Sequence, residues 1–321
     1  MSAGSNVDTR AASAILIVGA PRSGTTWLAK IFDSHPDVIY RHEPDAMIPL
    51  SDSIRANVAL WVQCHDARAA GKRPFFRKSW QPAPARLLFI SLAYAEAAAH
   101  RLGLPAWPLP DLGDTSRARV VIKSVRLSAA VGDFARAYPS GRALLILRHP
   151  CGQVASVMRG ARDRRFDLAK PGTDLPLDEA GATAFAARHG VNEAEFRRLP
   201  DAAKYAWGWR AFNETACASI AGQNNARIVV YKELCVDPVA QARAILEWAG
   251  LPWHTQTEAF LAQSTNHDGP AGYYDVLRNS IAAVDHWRTS MTQEDQDAVR
   301  AVVRDSPLGN LFFINSLTPG F

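Results

Sequence analysis

Residues 15–27 read Ile-Leu-Ile-Val-Gly-Ala-Pro-Arg-Ser-Gly-Thr-Thr-Trp. The apolar run that opens this stretch is typical of a buried parallel strand. Gly19 and Gly24 have the spacing of a phosphate-binding loop, in which a Gly-rich turn leads from a strand into a helix. The pattern predicts a helix over Thr25–Phe32. We therefore expect an α/β protein with a P-loop-type parallel sheet flanked by helices.

The loop lacks the lysine that is typical of ATP- and GTP-binding loops. Thr25 occupies the lysine position of the pattern G-x-x-x-x-G-K-[ST], and that lysine reaches the β- and γ-phosphates of a nucleoside triphosphate. Backbone N–H groups at a helix N-terminus still bind a phosphate, and Arg22 supplies a local positive charge. The loop is therefore predicted to bind a phosphate that is not part of ATP.

Pro21–Thr26 resembles the 5′-phosphosulfate loop of sulfotransferases that use 3′-phosphoadenosine 5′-phosphosulfate (PAPS), and it fits their pattern Pro-[Lys/Arg]-Ser-Gly-Thr-Thr residue for residue. The 3′-phosphate site of that family is a strand ending in Arg, followed eight residues later by Ser. Here the apolar strand Ala143–Leu147 precedes Arg148, and Ser156 lies eight residues further on. The resemblance implies that PAPS is the donor, that 3′-phosphoadenosine 5′-phosphate (PAP) is released, and that no metal is needed.

The resemblance also implies a set of nucleotide-binding residues. They are Arg22, Ser23, Gly24, Thr25, Thr26, Trp27, Arg148, Ser156, Tyr231 and Arg278. Trp27 would stack on the adenine, although it also fits the core as an aromatic residue of the predicted helix. Tyr231 opens Tyr-Lys-Glu-Leu, a partial match to the family segment Tyr-Glu-[Asp/Glu]-Leu that faces the base. Arg278 aligns only loosely with a late arginine that reaches the 3′-phosphate.

Sulfuryl transfer requires a group that neutralises the leaving phosphate and a base that takes the acceptor proton. Arg22 is expected to do the first. Phenol and steroid sulfotransferases carry their base in a Lys-[Thr/Ser]-His pattern, but here Lys123-Ser124 is followed by Val125, which cannot accept a proton. Lys123 is retained and is expected to help neutralise the donor.

Glu43 is the expected base. It lies 21 residues after Arg22, a layout that resembles carbohydrate and protein-tyrosine sulfotransferases, in which a glutamate at this place is the base. His42 is the alternative. Because successive side chains of an extended segment point opposite ways, only one of the two is expected to face the site.

The rest of the chain predicts a disordered leader over residues 1–13 and a single sulfotransferase domain over 14–321. Further strands are predicted at Val38–Tyr40, Val120–Lys123, Ala143–Leu147 and Arg227–Tyr231, in alternation with helices. Glu43, Lys123, Arg148 and Tyr231 are all predicted to sit at or just past the ends of these strands. Ligands of open parallel sheets bind beyond these carboxyl ends, so the four side chains are expected to share one edge.

Two helical or polar insertions, 46–116 and 160–200, are expected to form the acceptor pocket, and the second could also be a lid. Trp61, Trp80 and Trp107 lie in the first insertion, where each also fits a core position. The base pattern favours a sugar hydroxyl over a phenol. The expected acceptor is therefore a carbohydrate, a glycolipid or a small metabolite.

Composition limits the other functions. The net charge of +5 suits a cleft for an anionic nucleotide. A nucleic-acid partner is not expected, because aromatic and basic residues do not interleave as in a stacking platform. Scattered cysteines, no signal peptide and no membrane span predict a cytoplasmic protein. A P-loop kinase or NTPase is disfavoured, because no acidic residue ends a predicted strand to hold Mg²⁺. A catalytically idle nucleotide-binding protein stays an alternative.

Overall fold

The computed structural model describes residues 9–46, 48, 50–63, 74–104, 111–163, 178–265 and 284–313. Its centre is a five-stranded sheet with the strand order β2-β3-β1-β4-β5. The strands are β1 (Ile15–Val18), β2 (Val38–His42), β3 (Arg119–Ser124), β4 (Arg142–Leu147) and β5 (Ala226–Val230). All neighbouring strands run parallel. The predicted α/β fold with a parallel sheet is thus confirmed.

Helices connect and flank these strands. In chain order they are α1 (Thr25–Asp33), α2 (Ile54–Gln63), α3 (Ala83–Arg101), α4 (Ala130–Ala137), α5 (Pro150–Arg162), α6 (Glu179–Ala187), α7 (Glu193–Arg198), α8 (Asp201–Ile220), α9 (Tyr231–Val236), α10 (Pro238–Trp248), α11 (Thr255–Thr265), α12 (Trp287–Ser290), α13 (Gln293–Val303) and α14 (Pro307–Phe313). A parallel sheet needs such connections, because the chain must return to the starting edge of the sheet before the next parallel strand can begin.

The sheet is covered on both faces, which explains why its strands are apolar throughout. Ile15 and Ile17 pack with α1, α10 and α11 on one face. Leu16 and Val18 pack with α2, α4 and α8 on the other. Successive strand residues point to opposite faces, so a strand buried on both sides shows a continuous apolar run rather than an alternating one.

Several element boundaries differ from the sequence-based expectation. β2 continues to His42, two residues beyond its predicted end, and β5 stops at Val230, so that Tyr231 begins α9. Lys123 lies inside β3, one residue before its end, and the expectation that it sits at or past the end of the strand is wrong. Arg148 and Tyr231 do follow their strands directly.

The described part of the predicted leader is packed against the domain. Residues 9–12 form one helical turn, and Ala11 is buried. Arg10 donates to the Val62 carbonyl at 3.2 Å and pairs with Asp111 at 3.6 Å. The expectation of disorder up to residue 13 is therefore wrong for residues 9–13.

The described parts of the two predicted insertions contain helices and, in the first, non-helical segments. In the first, α2 packs on the sheet, while residues 74–81 run along the outer edge of β2, where the Trp80 indole N–H donates to the Val38 carbonyl at 3.4 Å. In the second, α6 and α7 build a small core with α8 around Phe185, Phe196 and Trp207. Residues 164–177 lie outside the described residues, and the role of this insertion as a lid stays a prediction.

Candidate active site at the carboxyl edge of the sheet

The loop between β1 and α1 turns through left-handed backbone at two residues. Arg22 has φ 70° and Gly24 has φ 103°, a region that favours glycine. Gly24 has a second constraint, because a Cβ there would lie 2.5 Å from the ring of Tyr231. Gly24 is the N-cap of α1, and the first N–H groups of a helix have no intrahelical partner. The loop therefore presents donors suited to an anion.

Two arginines from distant parts of the chain meet beside this loop. Arg22 Nε donates to Ser156 Oγ at 3.2 Å, and Arg148 Nη1 donates to the carbonyl oxygen of Arg22 at 2.9 Å. The guanidinium carbon of Arg148 lies 4.8 Å from the centre of the Tyr231 ring. Four of the predicted binding residues therefore form one network, here called the Arg148 network. It brings two guanidinium groups to the loop between β1 and α1, here called the phosphate-type loop.

The other loop residues differ in their surroundings. Ser23 is fully buried, and its Oγ has no hydrogen-bond partner in the described chain. Thr25 is buried and Thr26 is half-buried. A buried hydroxyl without a partner costs free energy, so the Ser23 hydroxyl is suited to bind a polar group that the described residues do not supply.

Trp27 is largely enclosed. Its side chain belongs to the core on one face of the sheet, its Nε1 donates to Ser264 Oγ at 3.1 Å, and its ring meets Tyr231 edge-on at 6.2 Å. This burial agrees with the core interpretation, and stacking on adenine stays a prediction. Arg278 lies outside the described residues.

The candidate base and the candidate lysine are directly paired. Lys123 Nζ donates to Glu43 Oε1, and both residues are buried, at 2% and 5% exposed. The backbone N–H of Glu43 also donates to the Lys123 carbonyl at 2.8 Å. These contacts hold the carboxylate at the carboxyl ends of β2 and β3, as the sequence predicts.

His42 and Glu43 do not point away from each other. His42 is in register with Lys123, so both side chains lie on the same face of the sheet. Glu43 has φ 49°, and its carboxylate turns back to that face, where Oε1 lies 3.7 Å from His42 Nε2. The expectation that only one of them faces the site is wrong, because it assumed an extended backbone at Glu43.

Asp45 is a buried carboxyl group that the sequence does not reveal. It lies in the 3₁₀ turn Pro44–Ala46, and its Oδ2 accepts a hydrogen bond from Ser124 Oγ at 2.8 Å. Burial raises the pKa of Asp45, and the nearby charge of Glu43 adds to this effect against the Ser124 hydrogen bond. No pattern in the sequence separates it from an aspartate in a solvated turn.

His149 supports the start of the helix that carries Ser156. Its Nδ1 accepts from the Cys151 backbone N–H at 3.1 Å, which caps α5, and its ring stacks on Trp287 at 4.4 Å. Burial lowers the pKa of His149 to about 3, so the imidazole is neutral at physiological pH. The ring therefore adds no charge next to Arg148 and acts as a packing and capping group.

A cavity of about 80 Å³ lies at the outer edge of β2. Trp80 contributes to its wall together with Tyr40, Phe75 and Phe89, whereas Trp61 is fully buried in the core. Trp107 lies outside the described residues. The use of this cavity by an acceptor stays a prediction.

The sheet brings the Glu43–Lys123 pair and the Arg148 network to its carboxyl edge. Val18, the last residue of β1, is in register with Ser124 of β3 and with Leu145 of β4. The loop after β1 therefore lies between the Glu43–Lys123 pair and the Arg148 network. The loop with its two guanidinium groups and the buried Glu43–Lys123 pair thus lie at the same edge of the sheet.

Within the described ranges, no three His, Cys, Asp or Glu side chains come together in a way that could hold a metal ion. A search of the same residues also finds no helix with the length and apolar character needed to span a bilayer.

Comparison with solved structures finds sulfotransferases among the most similar. The sulfotransferase domain of the Synechococcus PCC 7002 olefin synthase is 14% identical, with 92% of this chain and 95% of that chain covered and a TM-score of 0.43. The mouse sulfotransferase SULT7A1 complexed with PAP is 14% identical, with coverage of 94% and 89% and a TM-score of 0.45. The sulfotransferase STF9 from Mycobacterium avium is 16% identical, with coverage of 94% and 78% and a TM-score of 0.45.

No curated protein matches the sequence. The family model described as "Sulfotransferase family", by contrast, matches residues 14–255, which is most of the 321-residue chain. This match includes the phosphate-type loop, the Glu43–Lys123 pair and the Arg148 network. The chain therefore belongs to the sulfotransferase family.

Proposed function

We propose that the protein transfers a sulfuryl group from PAPS to a hydroxyl group of a carbohydrate, glycolipid or small-metabolite acceptor. The observation that carries this proposal is the meeting of two motifs far apart in the sequence. Arg22 Nε bonds Ser156 Oγ, and Arg148 bonds the Arg22 carbonyl. A donor with phosphates at both the 5′ and 3′ positions needs two cationic sites held at a fixed separation, and this network supplies them.

The residues of the loop fit such a donor. Gly24 has no side chain, so the backbone there leaves room for the close approach of a phosphate. The buried Ser23 hydroxyl lacks a partner within the described residues, and a phosphate oxygen would satisfy it. Ser23, Thr25, Thr26 and the start of α1 would hold the 5′-phosphate, while Arg148 and Ser156 would hold the 3′-phosphate.

The reaction breaks the bond between sulfur and the 5′-phosphate oxygen and forms a bond between sulfur and the acceptor oxygen. In this scheme the acceptor proton passes to the Glu43 carboxylate. Arg22 compensates the charge that builds up on the leaving phosphate. Lys123, which is paired with Glu43 in the free protein, would share its charge between the carboxylate and the donor.

The proposed acceptor class is supported by the base and by the cavity at β2. A glutamate base resembles the pattern of enzymes that act on sugar hydroxyls. The cavity combines the aromatic ring of Trp80 with the charged side chains of Arg41 and Asp111, a mixture suited to sugar rings. Arg41 donates two hydrogen bonds to Asp111, at 2.6 and 3.1 Å, so this polar wall is held in place.

The donor site is tested by calorimetric titration with PAP, and with ATP in the presence and absence of Mg²⁺. Arg148→Lys should weaken PAP binding about 10- to 100-fold, because a charge-assisted hydrogen bond is worth about 1.5–3 kcal/mol. Arg142→Lys is the matched control, since Arg142 begins the same strand at the opposite end of the sheet. Mg²⁺-dependent ATP binding without preference for PAP would instead indicate a kinase or NTPase.

The chemistry is tested with ³⁵S-labelled PAPS and a panel of sugars, a glycolipid and simple phenols. Transfer to a sugar that falls about 100- to 10,000-fold in Glu43→Gln would support Glu43 as the base. Tight PAP binding without transfer to any member of the panel would favour an idle nucleotide-binding protein. Preferred transfer to a phenol would contradict the proposed acceptor class.

A further inference from the structure

Two residues of β2 that the proposed reaction does not use lie in line with Glu43. Tyr40 and His42 share a face of the strand, being two residues apart, and the Tyr40 hydroxyl lies 2.6 Å from His42 Nδ1. The other ring nitrogen of His42, Nε2, lies 3.7 Å from Glu43 Oε1. His42 is 2% exposed and Tyr40 is 7% exposed. A buried phenol, imidazole and carboxylate thus form a row that ends at the candidate base.

The neighbouring charges favour one tautomer of His42. If the Tyr40 hydroxyl donates to Nδ1, the imidazole proton lies on Nε2 and points towards the Glu43 carboxylate. The opposite tautomer would direct a lone pair at a carboxylate, which is repulsive. Lys123 faces the same carboxylate from β3.

We propose that Tyr40 and His42 are positioning residues, with Tyr40 fixing the Nε2–H tautomer of His42 and His42 holding the Glu43 carboxylate during catalysis. This inference rests on the proposed function, in which Glu43 is the base. Lys123 forms an ion pair with Glu43, and the same ammonium group is expected to serve the donor. Whenever Lys123 turns towards the donor, His42 keeps the carboxylate oriented. A base oriented by a third side chain is a recurring arrangement in catalytic sites.

The backbone conformation of Glu43 explains why its carboxylate needs a further contact. A glutamate at φ 49° occupies a strained region for a residue with a Cβ, so its orientation depends on surrounding contacts. The Glu43 N–H donates to the Lys123 carbonyl at 2.8 Å. This hydrogen bond holds the backbone of Glu43, but it does not orient the carboxylate. The 3.7 Å separation from His42 Nε2 is of the kind that shortens into a hydrogen bond when a substrate binds.

The tautomer is measured by long-range ¹H–¹⁵N NMR of the histidine rings in the full-length protein, with the His42 signals assigned by their loss in His42→Gln. We expect the neutral Nε2–H form near pH 7 in the parent and a mixture or the Nδ1–H form in Tyr40→Phe. Tyr138→Phe is the matched control, because that buried phenol bonds the Arg55 carbonyl at 3.3 Å instead. An Nδ1–H or doubly protonated His42 in the parent would overturn the inference.

The positioning role is measured by steady-state kinetics with the best acceptor of the panel. Gln places its amide nitrogen near the position of Nε2, and Asn places it near Nδ1. We therefore expect His42→Gln to keep kcat within about threefold of the parent and His42→Asn to lose about 10- to 100-fold, with KM for PAPS unchanged in both. Equal activity of the two variants would overturn the role of Nε2–H.

The two failures are distinguishable. Absence of sulfuryl transfer by the parent would count against the proposed function, whatever the tautomer of His42. Normal transfer by the parent and by Tyr40→Phe, with an unchanged His42 tautomer, would overturn only the positioning role.

Discussion

Replacement of Gly24 by alanine tests how the phosphate-type loop is held against Tyr231. A Cβ at this position would lie 2.5 and 2.6 Å from two carbons of the Tyr231 ring, closer than non-bonded atoms approach. The backbone at φ 103° adds a second cost, about 1–2 kcal/mol for an L-residue in left-handed backbone. Gly24→Ala must therefore displace the ring as well as strain the chain.

The cost of moving the ring follows from its contacts. Tyr231 lies under the Arg148 guanidinium at 4.8 Å, an interaction worth about 0.5–2 kcal/mol. It also meets Trp27 edge-on at 6.2 Å, a pair worth about 0.5–1.5 kcal/mol. Together these contacts set the ring displacement at about 1–3.5 kcal/mol of unfolding free energy, in addition to the backbone strain.

Gly190→Ala separates the two costs. Gly190 has φ 85°, and open space surrounds the place that a Cβ would take, so only backbone strain acts there. Urea unfolding should show Gly24→Ala less stable than Gly190→Ala by about 1–3.5 kcal/mol. Calorimetry should show PAP binding weakened about tenfold or more in Gly24→Ala and unchanged in Gly190→Ala. Equal stabilities together with normal PAP binding by Gly24→Ala would refute the packing of Tyr231 against the loop.

Three further substitutions have predicted effects on the free energy of unfolding. Ser23→Ala should leave urea stability unchanged or raise it by up to about 1 kcal/mol, because it removes an unsatisfied buried hydroxyl, yet calorimetry should show weaker PAP binding. Asp45→Asn should stabilise the protein at neutral pH. Burial raises the pKa of Asp45 above its ordinary value of 3.8, so the native protein loses stability as the pH rises through the raised pKa. The stability advantage of the variant should vanish below pH 3.8 in a pH series of urea midpoints. Trp61→Ala should cost about 3–5 kcal/mol in urea unfolding, and a neutral effect would contradict the core position of Trp61.

The sheet and the phosphate-type loop could be predicted from the sequence because their signals are local. A continuous apolar run identifies a strand buried on both faces, and the glycine at position 24 identifies the turn. Arg148 and Ser156 could also be predicted, because an arginine at the end of an apolar strand with a serine eight residues further on resembles the 3′-phosphate site of the family. The structure brings both to the loop through their contacts with Arg22.

The geometry around Glu43 could not be predicted. Pro44 follows Glu43, and a residue before proline is normally extended, so the sequence favoured opposite directions for His42 and Glu43. The left-handed backbone at Glu43 reverses that conclusion and depends on contacts with β3. The Tyr40–His42 spacing did carry a signal, because two polar residues two apart on a strand share a face, whereas Asp45 carried none.

The tryptophans show a different limit of the sequence. Trp61 and Trp80 lie in the same predicted insertion, yet one is fully buried under the sheet and the other lines the cavity at β2. Composition and spacing do not distinguish the two tryptophans, since an aromatic residue fits either a core or a cavity wall. Only the path of residues 74–81 along the outer strand distinguishes them.

The order of the strands has a consequence for how such a protein can diverge. β2, which leads directly into Glu43, is at the border of the sheet, and its outer side is bordered by residues 74–81. The proposed nucleotide residues follow β1, β4 and β5 on the other side. Under the proposed function, exchange of the border segment would change the wall nearest the acceptor and leave the proposed donor residues in place, so that a different acceptor would be served by the same reaction.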